Sequence, residues 1–309
     1  MFGFGRGVSF TADDIPSLKG KVILVTGGNS GLGRQSVLDL AKHEPTLIWL
    51  AARGLARAQA AIDGILKEAP GATIKPLDLD LASFESTKCA ARRVLDESDR
   101  LDILMLNAGI MMTPPGLTKE GYETQFGTNH VGHALLTKLL LPLLLKTAEA
   151  PGSDVRVVSL SSMGYQLAPG KTIRFETLKT PAEGIMSMTR YGQSKLANIL
   201  FATEMARRYP QIKTVAIHPG VVASNLANTF SQSNVLLGPF TWVFQTLVAT
   251  PVAKGVRNQL WASVADGVKS GQYYTPIGND GQMDASARSE ELAGKLWEWT
   301  EKELEGQTI

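Results

Sequence analysis

Six short runs in the chain hold almost nothing but apolar residues: Lys21–Thr26, Leu47–Ala51, Thr73–Leu77, Asp102–Leu106, Val155–Leu160 and Thr214–Ile217. None alternates apolar with polar positions. That is how strands read when both their faces are buried, as in a parallel sheet with helices on either side. Helix-length patterns fill the intervals, at Gly31–His43, Leu55–Ala69, Ser83–Ser98, Thr128–Lys146 and Tyr191–Arg208, and a charged one closes the chain near Ser289–Leu304. Repeated strand–helix–strand order predicts a doubly wound α/β sheet. No linker rich in Pro, Ser or charge divides the 309 residues and no internal repeat is present, so the chain reads as a single domain with its core over residues 18–275.

The first apolar run leads into Gly27-Gly-Asn29-Ser30-Gly31-Leu32-Gly33 and then a helix. Gly27 lets the chain turn off the strand, Gly31 lets backbone approach a pyrophosphate, and Gly33 permits close helix–strand packing. The helix N-terminus offers amide N–H groups and a positive dipole end to phosphates. In that position the glycines predict a dinucleotide-binding, Rossmann-type loop. The second run ends in Ala51-Ala52-Arg53, with no carboxylate to bind a ribose 2′-hydroxyl or repel a 2′-phosphate. Arg53 suits a 2′-phosphate, which favours NADP(H) over NAD; Arg34 and Ser30 are lesser candidates for the same group.

Thr26 to Gly33, Asn107-Ala108-Gly109, Tyr191-Gly-Gln-Ser-Lys195 and His218-Pro219-Gly220, in that order, resemble the short-chain dehydrogenase/reductase family. Thr128-Asn129-His-Val-Gly-His133 and Tyr191 to Asn198 are most similar to its retinol-dehydrogenase and WW-domain-oxidoreductase branch, although no WW module is present. The resemblance implies a catalytic set of Asn129, Ser162, Tyr191 and Lys195. Tyr191 and Lys195 lie four residues apart, on one face of a helix, where an ammonium lowers the pKa of a phenol and fits it for proton exchange with a carbonyl or alcohol oxygen. Ser162 would hydrogen-bond the substrate oxygen, with Ser161 as the alternative, and Asn129 would anchor a proton-relaying water. The resemblance also assigns Asp78 and the adjoining Leu79 to adenine, Asn107, Ala108 and Gly109 to backbone approach, Lys195 to the ribose, and Pro219, Gly220, Val222 and Ser224 to the nicotinamide. Residues 165–190 exceed the shortest family members, read as loop, and are expected beside the active-site mouth.

The residues around this set point to an NADP(H)-dependent carbonyl reductase acting on a hydrophobic ketone, aldehyde or secondary alcohol. Pro219 to Ala253 carries no charge, and its Phe230, Leu236, Leu237, Phe240, Trp242, Val243, Phe244 and Leu247 suit an apolar substrate wall, as do Met111 and Met112. The same side chains also suit a core or a subunit contact, and the segment a membrane-touching flap. A cofactor-sensing or scaffold protein on the same fold is the alternative function, disfavoured by the intact catalytic set.

A net charge of +2 gives no reason to expect nucleic acid. One cysteine and four scattered histidines offer no metal-ligand spacing, and His130, His133 and His218 read as structural. The single cysteine fits a reducing compartment and no apolar run of signal-peptide length follows Arg6, so a cytoplasmic location is expected. Family members often associate through the two helices holding residues 128–146 and 191–208, which are apolar here, so monomer and homo-oligomer both stand.

Overall fold

The computed structural model describes residues 7–220, 222, 250–280 and 283–309. Its centre is a sheet of seven parallel strands: β1 Val22–Thr26, β2 Leu47–Ala52, β3 Ile74–Asp78, β4 Ile103–Leu106, β5 Arg156–Leu160, β6 Lys213–Ile217 and β7 Tyr273–Tyr274. Their order across the sheet is β3-β2-β1-β4-β5-β6-β7. Every residue of β1, β2, β4 and β5 is buried, which explains why these runs lack polar alternation.

Successive side chains nevertheless separate into two cores. Leu24, Trp49, Leu104 and Val157 face helices α3 Phe84–Glu97, α4 Thr124–Ala148 and α5 Ser187–Arg208. Ile23, Val25, Ile48, Leu50 and Val158 face α1 Gly31–Ala41, α2 Leu55–Leu66 and α6 Arg257–Val264. Both sides of the sheet are thus covered, as the apolar runs predict. The chain winds outward in opposite directions from β1 and β4, and such a switch point opens a crevice at the C-terminal strand ends, where the site lies.

Four features extend or correct the sequence reading. The loop-like stretch 165–190 contains short helical turns at Met163–Leu167, Pro169–Lys171 and Phe175–Thr177. Helix α5 begins at Ser187, a full turn before Tyr191, so the catalytic residues stand on an established helix rather than at its fraying end. Strand β7 and helix α6 were not expected: β7 has two residues and α6 eight, too short to show a period. Phe10, Ile15 and Leu18, ahead of the first strand, are buried in the second core.

Helix α7, Glu290–Glu303, packs across α5 and α4. Trp297 stacks on Phe201 of α5 with ring centroids 5.2 Å apart. The Thr300 hydroxyl lies 3.0 Å from His130 Nε2, and Lys138 pairs with Glu301 at 2.8 Å. The chain's own C-terminal helix therefore lies against part of the face formed by α4 and α5. Thr124–Ala148 is long and apolar enough to cross a membrane, but two-thirds of that window (67%) is buried inside the molecule, as befits a core helix.

Candidate active site

The first glycine loop is shaped by what its residues lack. Gly27 has φ +66°, in the left-handed region. A Cβ on Gly33 would overlap the Gly27 carbonyl oxygen and crowd Asn107 Nδ2. Asn107 donates to Thr26 O at 2.7 Å and ties β4 to β1 across the crevice. Ser30 makes no side-chain cap bond on α1, so the amides of the first turn are left to a ligand. Asn29 and Leu32 are half-buried along this turn, and Leu32 O takes the Ser36 hydroxyl.

At the end of β2, Arg53 is exposed, and among the described residues no carboxylate pairs with it. Arg57 reaches back to Arg53 O at 2.7 Å, adding a second guanidinium to this corner, and Asp78 accepts the Gly54 N–H at 2.7 Å. Asp78 thereby fixes the turn that presents Arg53, a turn-capping role that its residue type also allows. Leu79 is buried and extends the ladder through its N–H to Ala52 O.

The catalytic candidates converge on one side of α5. Ser162 follows β5 by two residues and caps the next turn, accepting from Gly164 N–H at 3.0 Å. Ser162 and Tyr191 meet beside Gly164, where a Cβ would stand 3.3 Å from Ser162 Oγ and 3.1 Å from Tyr191 Cε1. Ser161 instead donates to Lys195 O at 2.7 Å, so its hydroxyl is spent on the helix. Lys195 Nζ donates to Leu160 O at 2.9 Å and stands 5.7 Å from the Tyr191 ring centroid.

Tyr191 and Lys195 are both buried, and burial governs their titration. It pushes the Tyr191 phenol up to about 12, against the smaller lowering by Ser162. It brings the Lys195 ammonium down to about 8. The lowered phenol expected from the sequence is therefore not the state found. Tyr191 is protonated at neutral pH, the form needed in a proton donor.

Asn129 is not at a helix start but inside α4, where the helix widens to a π-turn over Gly127–Val131. Its side-chain amide donates to Ile110 O and Ser194 Oγ, both at 2.9 Å, and its Oδ1 accepts from Ile110 N–H at 2.8 Å. A Cβ on Gly109 would stand 3.3 Å from Asn129 Oδ1 and 3.4 Å from Lys195 Nζ. Even a methyl side chain at 109 would press on both groups, so glycine lets this turn lie close against Asn129 and Lys195.

The sequence reading missed the polar residues that hold these groups. Ser194 supports Asn129 and Asn198 shares Leu160 O with Lys195. Positions 191, 194, 195 and 198 form one helix stripe, a signal that was available. Gln125, Arg190 and Ser187, which hold the loop after Gly109, left no such signal. Val222 bridges to Thr250, and Pro219 and Gly220 follow β6 beside the crevice. Ser224 and the apolar side chains from Phe230 to Leu247 lie outside the described residues. Among the described residues no group of His, Cys, Asp or Glu could hold a metal.

The residues fit a dinucleotide: a glycine cradle, the open end of α1, a cationic corner at Arg53 and a lysine beside a buried tyrosine. A short chain dehydrogenase family model matches residues 21–171. Short-chain dehydrogenase/reductase drtF of Aspergillus calidoustus is 37% identical, over 94% of this chain and 95% of its own length. The chain belongs to the short-chain dehydrogenase/reductase family. Human retinol dehydrogenase 13 is 35% identical over 91% of this chain and 83% of its own, in accord with the branch seen in the sequence. Among solved structures, a protein from Mycobacterium paratuberculosis superposes with a TM-score of 0.73 at 29% identity, covering 96% of this chain and 97% of its own. A Shigella flexneri short-chain dehydrogenase solved with NADP shares the fold, with a TM-score of 0.63 at 20% identity over 85% of this chain and 99% of its own.

Proposed function

We propose that this family member is an NADP(H)-dependent carbonyl reductase of hydrophobic ketones or aldehydes. The observation that carries the reading is the meeting of the Ser162 hydroxyl and the Tyr191 ring beside Gly164, with Lys195 one helical turn away. A bound dinucleotide would supply hydride to the carbonyl carbon. It would be held by Gly27, Gly31, Gly33 and Asn107–Gly109, with Arg53 on the 2′-phosphate.

In this reading Ser162 and Tyr191 present their hydroxyls to the substrate carbonyl oxygen, orienting it and stabilising the charge that develops on it. Tyr191 then gives its phenolic proton to that oxygen. Lys195, protonated below its pKa of about 8, stabilises the phenolate that remains and returns a proton to it. Asn129 and Lys195 both border Gly109, and in this reading a water held by Asn129 would return a proton to the lysine.

An apolar substrate is supported by the rim. Met163 and Leu167, on the turn after Ser162, are 40% and 50% exposed, and Met186 at the head of α5 is 77% exposed. Met111 and Met112 follow Gly109 on the opposite lip. Because α7 covers α4 and α5, the chain acts as a monomer in this reading.

The test is NADPH oxidation against decanal, aromatic ketones and 9,10-phenanthrenequinone, with Tyr191→Phe alongside. The variant should lose about three orders of magnitude in turnover while binding NADPH as the unmodified chain does. Turnover near the unmodified rate would overturn the mechanism. NADPH binding without turnover of any carbonyl would favour the sensor alternative.

A further inference from the structure

His133 lies inside α4, 3% exposed, one turn beyond Asn129. Its Nδ1 is 3.0 Å from the Asn129 carbonyl oxygen, and its Nε2 is 3.0 Å from Thr26 Oγ1 at the end of β1. A carbonyl oxygen only accepts, so Nδ1 carries the ring hydrogen. Burial brings the ring's pKa down to about 4, so the ring is neutral at pH 7 and Nε2 is an acceptor. The Thr26 hydroxyl must then donate to Nε2. The competing acceptor, Met105 O, is farther away at 3.4 Å. Thr26 Oγ1 keeps its lone pairs for the Ala108 N–H, which it accepts at 2.9 Å.

These bonds form a closed ring. Ala108 N–H donates to Thr26, Thr26 to His133, and His133 to the Asn129 carbonyl. The Asn129 side chain then grips both backbone groups of Ile110, two residues from Ala108. Gly109 sits at the middle of the encircled turn, facing Lys195. His133 is the member that joins the dinucleotide-loop side of the ring to the catalytic side.

We propose that His133 is a positioning residue: by bridging Thr26 and the Asn129 carbonyl it closes a hydrogen-bonded ring around the Asn107–Ile110 turn, so that seating a dinucleotide on that turn and placing Asn129 beside Lys195 become one event. This rests on the reading of the site as a dinucleotide-dependent oxidoreductase. His133 touches no reacting atom; it acts through Asn129. Cutting the ring should therefore uncouple two responses that the intact protein makes together.

The experiment is hydrogen–deuterium exchange with and without NADPH on the full chain, alongside steady-state reduction of decanal. In the unmodified protein NADPH should slow exchange at residues 22–33 and at residues 124–134 together. In His133→Leu the first protection should remain and the second be lost. Turnover should fall about tenfold, the size of one buried hydrogen bond, with the KM for decanal within about threefold. His133→Gln, which keeps a donor and an acceptor, should restore most of both. Thr26→Val opens the same ring at its other end and carries the test if His133→Leu does not fold. Full protection of residues 124–134 and undiminished turnover in the variants would overturn the positioning role. No response of the unmodified chain to NADPH would overturn the cofactor reading, and the coupling with it.

Discussion

Two loops border the crevice and are held by opposite means. The loop from Gly27 to Gly33 is shaped by missing side chains: a Cβ at Gly33 has no room beside Gly27 O. The loop from Gly109 to Gly116 is held by buried polar side chains reaching in from helices. Asn129 takes Ile110, Gln125 Oε1 takes Met112 N–H at 2.9 Å, and Ser187 donates to Thr113 O at 2.9 Å. Arg190 donates to Thr113 O at 2.9 Å and Pro114 O at 3.4 Å, and its guanidinium pairs with Glu123 at 2.8 Å, both side chains about 2% exposed or less. Met112 rests in a left-handed conformation at φ +59°, which this grip sustains. In the proposed reading the first device accepts the dinucleotide. The second would set a substrate wall, and its parts stand on the helices that carry Asn129 and Tyr191, so that wall and chemistry would keep one spacing.

The contrast can be broken first at the polar loop. Glu123→Ala strands the Arg190 guanidinium without a counter-ion and should cost about 3–5 kcal/mol in urea unfolding. Glu123→Leu with Arg190→Met should recover much of that stability, yet leave the loop ungripped and raise KM for a bulky ketone. A double variant with unchanged KM would show that the pair serves stability alone.

Acid is the next largest perturbation. His130 and His133 are neutral in the fold, their pKa values brought by burial to about 3 and about 4. The unfolded chain binds these protons below pH 6.5 and the folded chain does not, so stability falls as pH is lowered. Between pH 7 and pH 5 the two should remove roughly 3–4 kcal/mol, measured by urea midpoints at each pH. Replacing His130 by Leu should reduce that slope.

The glycine loop should respond through the ligand rather than through stability. Gly33→Ala should weaken NADPH by about two orders of magnitude in calorimetric titration, since the added carbon moves the cradle itself. The smallest effect is reserved for the corner beyond it: Arg53→Ala should weaken NADPH about tenfold and leave NADH unchanged. Equal losses for both cofactors would remove Arg53 from the 2′-phosphate.

The same contrast governs what could be read before the structure. The glycine loop, the six buried strands and the Tyr191–Lys195 pair each leave a pattern within one short stretch of sequence, so they can be recognised without knowing which elements they meet. The polar grip is not local. Arg190 meets Thr113 across 77 positions, and nothing around either residue announces the other. His133 was legible as buried but not as the bridge from Thr26 to Asn129, because that role needs β1 and α4 side by side. Ser162 was favoured over Ser161 by resemblance, and the bond that takes up the Ser161 hydroxyl, to the Lys195 carbonyl on another element, was not legible from either serine's neighbours.

Helix α7 has a consequence that reaches beyond packing. In an assembly whose subunits brace one another, the geometry of a site depends on how much protein is present and on whether two kinds of subunit mix. Here the brace for α4 and α5 is part of the same polypeptide, so Asn129 and Tyr191 are supported at any dilution. A sequence change on that face is also answered within the gene that made it, because Trp297 and Thr300 are inherited together with the Phe201 and His130 they touch.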